Sequence, residues 1–506
     1  MKAFLLYKDQ DFDPKGKLPW NEPALSQDLE LNTLFSAMVL GDQFLLDVAK
    51  TAIVSGLNND VDTILYRQNI LKDCLKYPST VRDLYAIAVE GIESEKKGYW
   101  GLLARYPAGI LSRSIELLRM HIPILTKLRH VAEEQADKFE SDGFTALFAM
   151  LKRELSDEYF ASIQDHLKQL KFRDGVLVSA ELGKGNKGTN YVLRKSSRKQ
   201  SWMEWIFAET PRVYRYHLHP RDESGAKALS ELNERGINLV ANALAQSTDH
   251  ILSFFHMLRT ELAFYVGCLN LHDRLASKGE PTCFPLPVSS SELRHSFVGL
   301  YDVCLALRVQ QRVVGNDVDA DNKNLVIITG ANQGGKSTFL RSIGLAQLMM
   351  QAGMFVPANT FSANVCDRLF THYKREEDVT MKSGKLDEEL SRMSEMVDNI
   401  TANSLVLFNE SFAATNEREG SEIARHIIGP LLEKRIKIFF VTHLYEFAHR
   451  FYDKKMGNAI FRRAERQPDG ARTFKLIEGE PLETSYGEDL YNKTFGTDGA
   501  VQILPR

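Results

Sequence analysis

The sequence predicts an α-helical domain followed by an α/β domain with a mostly parallel sheet, and three observations carry that prediction. Apolar residues recur at helical spacing from Asp28 to about Leu170, and again from Leu229 to Leu269. Beyond residue 291 short apolar runs alternate with helical patterns, the texture of strands covered by helices. One of those runs meets the octet Gly330-Ala-Asn-Gln-Gly-Gly-Lys-Ser337 and passes straight into a helical pattern.

In the N-terminal half, Leu31, Leu34, Phe35 and Met38, then Phe44, Leu45 and Val48, share one face of a 3.6-residue period with almost no turn clusters between them. A different texture interrupts at Gly175–Lys195. There Val176-Leu-Val178 and Tyr191-Val-Leu193 flank Gly183-Lys-Gly-Asn-Lys-Gly188, which predicts a β-hairpin. Leu229, Leu232, Gly236, Leu239, Ala243, Ile251, Phe254, Leu258, Leu262, Tyr265 and Leu269 then thread onto one face of a long helix running toward Leu275. Two roles fit that helix, packing within its own domain or acting as a lever between two, and length alone does not choose. Lys278–Ser291, with Gly279, Pro281, Pro285, Pro287 and three serines, is the linker candidate.

Composition bounds the rest. At 506 residues the chain exceeds one core, since single cores stop growing near roughly 250–300 residues, so two or three domains are expected. With 63 basic and 66 acidic residues the net charge is −3, which excludes a global electrostatic pull on nucleic acid; any basic surface must be local. Cys74, Cys268, Cys283, Cys304 and Cys366 lie apart, with no CxxC pair or nearby His cluster, which argues against a disulfide framework and structural zinc and for a reducing compartment. Without an apolar stretch of membrane-spanning length, a soluble, cytoplasmic protein with no membrane partner is expected.

The octet satisfies GxxxxGK[ST], and its flanks suit the chemistry. Leu325-Val-Ile-Ile328 reads as a buried parallel strand before it, and Ser337–Met350 as a helix after it, closing near Gly353. Such a P-loop turns backbone N–H groups and a helix N-terminus toward one point, where the glycines Gly330, Gly334 and Gly335 let the backbone close around bound phosphates. Lys336 reaches the β/γ oxygens of a nucleotide, and the Ser337 hydroxyl ligates Mg2+. The bland alternative is a structural glycine turn.

Downstream, Ser404-Leu-Val-Leu-Phe-Asn409-Glu410 is an apolar strand ending in two polar residues. In P-loop ATPases the strand beside the P-loop strand delivers an acid to Mg2+, and in ABC-like members a following Glu polarises the attacking water. Glu410 is therefore the candidate general base, against the alternative of a strand-end Glu in solvent. A third apolar strand, Ile436-Lys-Ile-Phe-Phe-Val-Thr-His443, ends in a histidine. Ligands bind at the C-terminal ends of parallel strands, so His443 is either a partner of the γ-phosphate or attacking water, or an ordinary surface or core histidine.

Here the residues resemble a family. TGANQGGKSTFLRSIGLAQLMMQAGMFVPA, SLVLFNESFAATNEREG and VTHLYEFA are similar in order, spacing and flanks to the ATPase domain of MutS DNA mismatch-repair proteins. Weaker likeness extends to Asn316-Asp317, to Glu389 and to Ser485-Tyr486-Gly487; upstream, LNTLFSAMVLGDQFLL and YRQNILKD look like the helical core and lever of the same family. The resemblance implies an N-terminal extension (1–27), an α-helical core/lever domain (28–290) with a basic hairpin at about 171–199, and an α/β P-loop, ABC-like ATPase domain (291–506). It further implies ATP and Mg2+ as cofactors, a homodimer with composite ATP sites, and DNA as partner. Carried over by residue, Asn332, Lys336, Ser337 and Thr338 bind nucleotide and Mg2+, Glu410 activates water and His443 senses the γ-phosphate.

The sequence departs from that pattern in three ways. Asn409 stands where the family has an acid, so the metal shell of Ser337, Asn409 and, partly through water, Glu410 loses a formal charge. The family's phosphate-contacting Ser, which reaches across the dimer, falls near Ser383 or Gly384, and Ser383 is the assignment. Only about 27 residues precede the helical core, whereas mismatch-recognising members have two further N-terminal domains and an intercalating Phe-x-Glu motif. Phe207-Ala-Glu209 fits that motif only by chance in a chain of 28 phenylalanines, and no Smr-type nuclease module is expected, because no His is followed by Gly.

The candidate nucleic-acid surface is the hairpin. Between Lys168 and Lys199 stand nine basic and two acidic residues, a net of +7 in a chain of −3. Either this is a solvated face, or Lys184, Lys187, Arg194 and Lys195 meet a phosphate backbone, a contact that needs charge and reach but no base reading. The expectation is an ATP-gated dimeric clamp on structured or mismatched DNA. The alternatives are an ATPase acting on structured RNA or the ribosome, and an ATP-binding scaffold with little turnover.

Overall fold

A computed structural model describes residues 1–96, 106–170, 172, 176–194, 214, 216–375, 384–467 and 471–482. Two compact units emerge, one of Met1–Ala3 with Ser79–Leu262, the other of Phe4–Pro78 with Ala263–Arg506.

The first unit is helical apart from one hairpin. Pro78–Lys96, Pro107–Gln135, Asp142–Glu154 and Asp157–Gln169 are helices, and the long helix Glu223–Ser277 contributes its first part. Two of the starts are capped by serine hydroxyls, Ser141 accepting from Phe144 N–H and Ser156 from Tyr159 N–H, which satisfies amides that have no partner inside the helix. The core gathers Leu118, Leu125, Phe144, Phe148, Phe254, Phe255 and Leu258. It is tight at Gly91, where a Cβ atom would lie 2.6 Å from the Phe255 ring.

The predicted hairpin forms from β1 (Val178–Leu182) and β2 (Gly188–Leu193), antiparallel, closed by the turn Lys184–Asn186 with Gly185 at φ 68°. It packs on the long helix at Gly236, where a Cβ would lie 2.5 Å from Val178 Cγ2. The expected single buried stripe is not continuous along the long helix. Leu229, Leu232 and Leu239 are 49%, 45% and 67% exposed, while Ile237 and Ala241, one turn apart, face inward. The stripe from Ile251 onward is buried as expected, through Phe254, Leu258, Leu262, Tyr265 and Leu269.

The second unit holds two sheets. The larger runs β12-β11-β6-β10-β9-β8, formed by β6 (Leu325–Gly330), β8 (Arg368–Tyr373), β9 (Ser404–Asn409), β10 (Lys437–Val441), β11 (Ala459–Arg466) and β12 (Arg472–Glu478). All neighbours are parallel except the edge pair β11–β12. The inner strands are buried on both faces, which is why Leu325–Ile328, Leu405–Phe408 and Ile438–Val441 are unbroken apolar runs. A smaller sheet, in order β3-β7-β4-β5, joins β3 (Leu286–Val288), β4 (His295–Leu300), β5 (Asn316–Asp319) and β7 (Thr360–Asn364).

The linear expectation of a helical stretch 28–290 before an α/β stretch 291–506 differs from this division. Residues 4–78 hold the helices Glu22–Asp28, Leu31–Val39, Gln43–Val54 and Val61–Lys76, yet belong with the sheets. Their polar side chains explain it. Asn21 donates to Leu369 O (2.8 Å), Asn59 to Gln351 O (2.8 Å) and buried Arg67 to Ala352 O (3.4 Å), while Arg67 also holds the segment's own start through Leu6 O (2.8 Å) and the Tyr7 ring, 4.5 Å from its guanidinium. The segment expected as a linker is likewise fastened: β3 pairs with β7, and Lys278 Nζ donates to the carbonyls of Ala306, Leu307 and Val309. Among the described residues no helix is long and apolar enough to cross a membrane.

Candidate functional site

The site is built where β6 stops. Every residue of β6 is buried, and Gly330 leaves it at φ 102°, with β11 so close that a Cβ would lie 2.9 Å from Ala464 N. The loop then turns through Gln333 at φ 58° to Gly335 at φ 85°, a left-handed N-cap that only glycine adopts freely. The helix Lys336–Gln351 follows, one residue earlier at its start than predicted, and ends before Gly353 at φ 81°. No side chain caps its first turn, which leaves its leading amides without a side-chain partner, and Lys336, Ser337 and Thr338 of that turn line the cavity together with the loop.

Lys336 is buried. Its Nζ donates to the carbonyls of Gly330 (2.9 Å) and Ala331 (3.0 Å), the loop's own backbone. Burial pulls its pKa down to about 8, while the nearby Glu410 carboxylate works in the opposite direction. Ser337 Oγ donates to Asn409 Oδ1 at 3.0 Å, which joins the first turn of the helix to the end of β9.

That contact spans one strand more than the sequence predicts. β9 is not beside β6: β10 lies between them, with Val441 in register with Ile328 on one side and Asn409 on the other. Interleaving a strand that comes later in the chain cannot be read from local pattern. Its effect is to align three strand ends. Glu410 N donates to Val441 O (2.9 Å), Thr442 N donates to Ile328 O (3.0 Å), and His443 follows at once. Across this edge His443 Nε2 and Glu410 Oε1 lie 3.0 Å apart. The histidine's hydrogen bond is the main influence holding the Glu410 carboxyl below its usual range; burial opposes it, and the charges of His443 and Lys336 assist.

A cavity of about 680 Å3 opens in front of these groups. Asn332, Gly334, Gly335, Lys336, Ser337, Thr338 and Glu410 line it together with Tyr301, Arg312, Asn316 and Phe474. Asn316 holds β5 to β12, donating to Phe474 O (3.2 Å) and accepting from Leu476 N–H (2.7 Å). Arg472 Nε donates to Asn332 O at 3.2 Å and so ties the loop to the same strand. The Tyr301–Val314 wall had no signal in the sequence, because it reaches the cavity from the smaller sheet.

Of the other predicted residues, Lys184, Lys187 and Arg194 are exposed on the hairpin, and Arg194 Nε donates to Ser179 Oγ (2.9 Å) across its open end. Lys195, Ser383, Phe207, Glu209 and Ser485–Gly487 lie outside the described residues.

These features define a class: a helical region followed by an α/β sheet domain, with a lysine-bearing glycine loop at the C-terminal edge of the sheet. Comparison with known proteins gives the family. Residues 59–278 match the MutS2 N-terminal domain, and residues 326–495 match MutS domain V. The chain is 34% identical over 183 residues to the DNA mismatch repair protein MutS of Thermotoga sp. (strain RQ2), covering 36% of this chain and 23% of that one. With MutS of Leuconostoc citreum (strain KM20) it shares 29% over 244 residues, 47% of this chain and 28% of the relative. With MutS of Alkaliphilus metalliredigens (strain QYMF) it shares 37% over 140 residues, 27% and 16% respectively. The matches span less than a third of the length of these relatives. The chain belongs to the MutS family.

Proposed function

We propose that this chain is an ATP-dependent DNA-binding protein of MutS type, in which ATP binding and hydrolysis gate a dimeric clamp on structured or mismatched DNA. The observation that carries the reading is the meeting of Lys336, Ser337, Asn409 and Glu410 at one cavity edge, with Ser337 Oγ 3.0 Å from Asn409 Oδ1 and Glu410 Oε1 3.0 Å from His443 Nε2. On this reading Gly330–Ser337 is a P-loop: its amides and the helix N-terminus receive the phosphates, and Lys336 supplies a cation there.

The paired oxygens of Ser337 and Asn409 fit Mg2+, a hard ion that takes oxygen donors and keeps part of its shell as water and phosphate. Ser337, Asn409 and, partly through water, Glu410 would hold it. When bound, the ion neutralises charge developing on the β/γ oxygens. Glu410, anionic and hydrogen-bonded by His443, acts as general base toward the attacking water, and His443 is suited to sense the γ-phosphate. Lys184, Lys187, Arg194 and Lys195 are the proposed DNA contacts, and Ser383 the contact to the partner's nucleotide.

The test is a panel of branched, mismatched and plain duplex DNA and structured RNA, titrated with ADP, with ATP and with the Glu410→Gln protein. Nucleotide-dependent affinity for DNA supports the reading; preference for structured RNA, or affinity blind to nucleotide, sinks it. Asn409 favours a second reading, an ATP-binding scaffold with little turnover, since an amide brings no charge to the metal. A turnover assay with and without DNA separates the two.

A further inference from the structure

The turn after β9 is held in a way the cavity does not explain. Glu410 and Phe412 both take positive φ, 53° and 62°, a backbone region costly for a non-glycine residue and unusual for an aromatic one. Such a conformation persists where the surroundings over-determine it. Here they do, and they reach the turn from two other elements.

His372, on β8 and in register with Phe408, is fully buried. Its Nδ1 lies 2.7 Å from Ser411 Oγ, and the same hydroxyl lies 2.6 Å from the His372 carbonyl oxygen. Its Nε2 lies 3.0 Å from the carbonyl oxygen of Glu389, on the helix Lys385–Asn399. The Glu389 carboxylate in turn accepts from Phe412 N–H at 2.8 Å. The Phe412 ring, without solvent exposure, lies over the imidazole with centroids 5.3 Å apart and planes at 23°.

The protons can be placed. Burial, aided by the charges of Arg392 and Arg375, pulls the His372 pKa down to about 4, so the ring is neutral and carries one N–H. A carbonyl only accepts, so that proton sits on Nε2 facing Glu389, and Nδ1 is an acceptor. The single hydroxyl proton of Ser411 then faces two acceptors of one residue, the ring and the carbonyl of His372. Ser411 is pinned on one side of the turn and Phe412 N–H on the other, while Glu410, immediately before them, projects toward the glycine loop. With both its nitrogens engaged inside the core, His372 acts through the chain and not on a ligand.

We infer that His372, together with Glu389, is a positioning residue for Glu410, fixing the Ser411–Phe412 turn so that the carboxylate keeps its place at the cavity edge; the inference rests on the reading of Glu410 as the base. The consequence is a specific kinetic signature. Displacing a base by about 1 Å costs on the order of a hundredfold in rate while leaving the phosphate cradle untouched.

Steady-state ATPase on the full chain tests it, alongside binding of a non-hydrolysed ATP analogue. His372→Ala should lower kcat by about 10–100-fold while KM and analogue affinity stay within about twofold. His372→Asn, whose Oδ1 can accept from Ser411, should recover part of kcat. Ser411→Ala removes only a hydroxyl and should show the same signature more weakly; if His372→Ala does not fold, this variant decides. An unchanged kcat in a folded variant, or kcat and analogue affinity falling in parallel, overturns the inference and leaves His372 a core residue. If the unmutated protein binds ATP but never turns it over, the general-base reading itself fails, and the inference goes with it.

Discussion

Two glycine-rich turns of this chain carry lysines, and they solve opposite problems. In Gly330–Ser337 the lysine is buried, its ammonium rests on two carbonyls of its own loop, and a parallel strand and a sixteen-residue helix fix the turn from both sides. In Gly183–Gly188 the lysines are exposed on a two-stranded hairpin, which packs on the long helix at Gly236. A fixed cation can meet a small anion in one geometry, where a misplacement is costly. An exposed cation on a turn trades that accuracy for reach along a polymer whose phosphates repeat. Similar residues thus point to different ligands, and supporting structure makes the difference.

The buried lysine should be the most sensitive position in the molecule. Lys336→Ala removes the cation beside the proposed phosphate site, so both nucleotide binding and turnover are expected to be lost, by at least about a hundredfold. Calorimetric titration with ATP checks it. Retained binding at near-unmutated affinity would break the contrast at its root.

Glu410→Gln should separate binding from chemistry. Gln keeps the length and an oxygen that can accept from His443 Nε2, so the local geometry survives, but it cannot take a proton. Turnover is expected to fall by about 10²–10⁴-fold with ATP still bound. Single-turnover kinetics and ATP retention measured together would settle the assignment, and hydrolysis at the unmutated rate would remove it.

How far these features were legible differs between the two halves. The glycine loop, the ends of β9 and β10, and the hairpin were legible because each is local: a buried run, a glycine at a special φ, two or three polar residues. What was not legible is set by residues distant in sequence. The insertion of β10 between β6 and β9, the cavity wall from Tyr301 to Val314, and the link from His372 to Ser411 all depend on which strands become neighbours. Leu229, Leu232 and Leu239 misled for a related reason: their spacing is helical, but exposure depends on what packs against the helix at that height.

A smaller effect is expected at Asn409. Asp in its place would still accept from Ser337 Oγ, so Asn409→Asp should be tolerated sterically and add a charge at the proposed Mg2+ site. The expected outcome is half-maximal activity at lower Mg2+, with turnover equal or a few-fold faster, by about 1 kcal/mol or less of barrier. A Mg2+ titration of the ATPase rate in both proteins reads it. A large loss of activity would instead give the amide N–H2 a role of its own.

The hairpin should respond most gently, and in a different variable. Lys184→Gln with Lys187→Gln removes two exposed charges at a turn within the unit 1–3 and 79–262, whereas the glycine loop belongs to the other unit, so turnover without DNA should be unchanged. If the two lysines lie on phosphates, affinity should weaken evenly across DNA sequences, because a phosphate contact carries no base information. Each lost contact removes about 0.9 from the dependence of log K on log salt, so the slope should flatten by about two units. Measuring affinity at several salt concentrations separates this from a general loss of binding, which would shift the line without changing its slope. An unchanged affinity and slope would return the basic turn to a solvated face and direct the search for a nucleic-acid surface to the helices, beginning with the exposed side of Glu223–Ser277 around Leu229, Leu232 and Leu239.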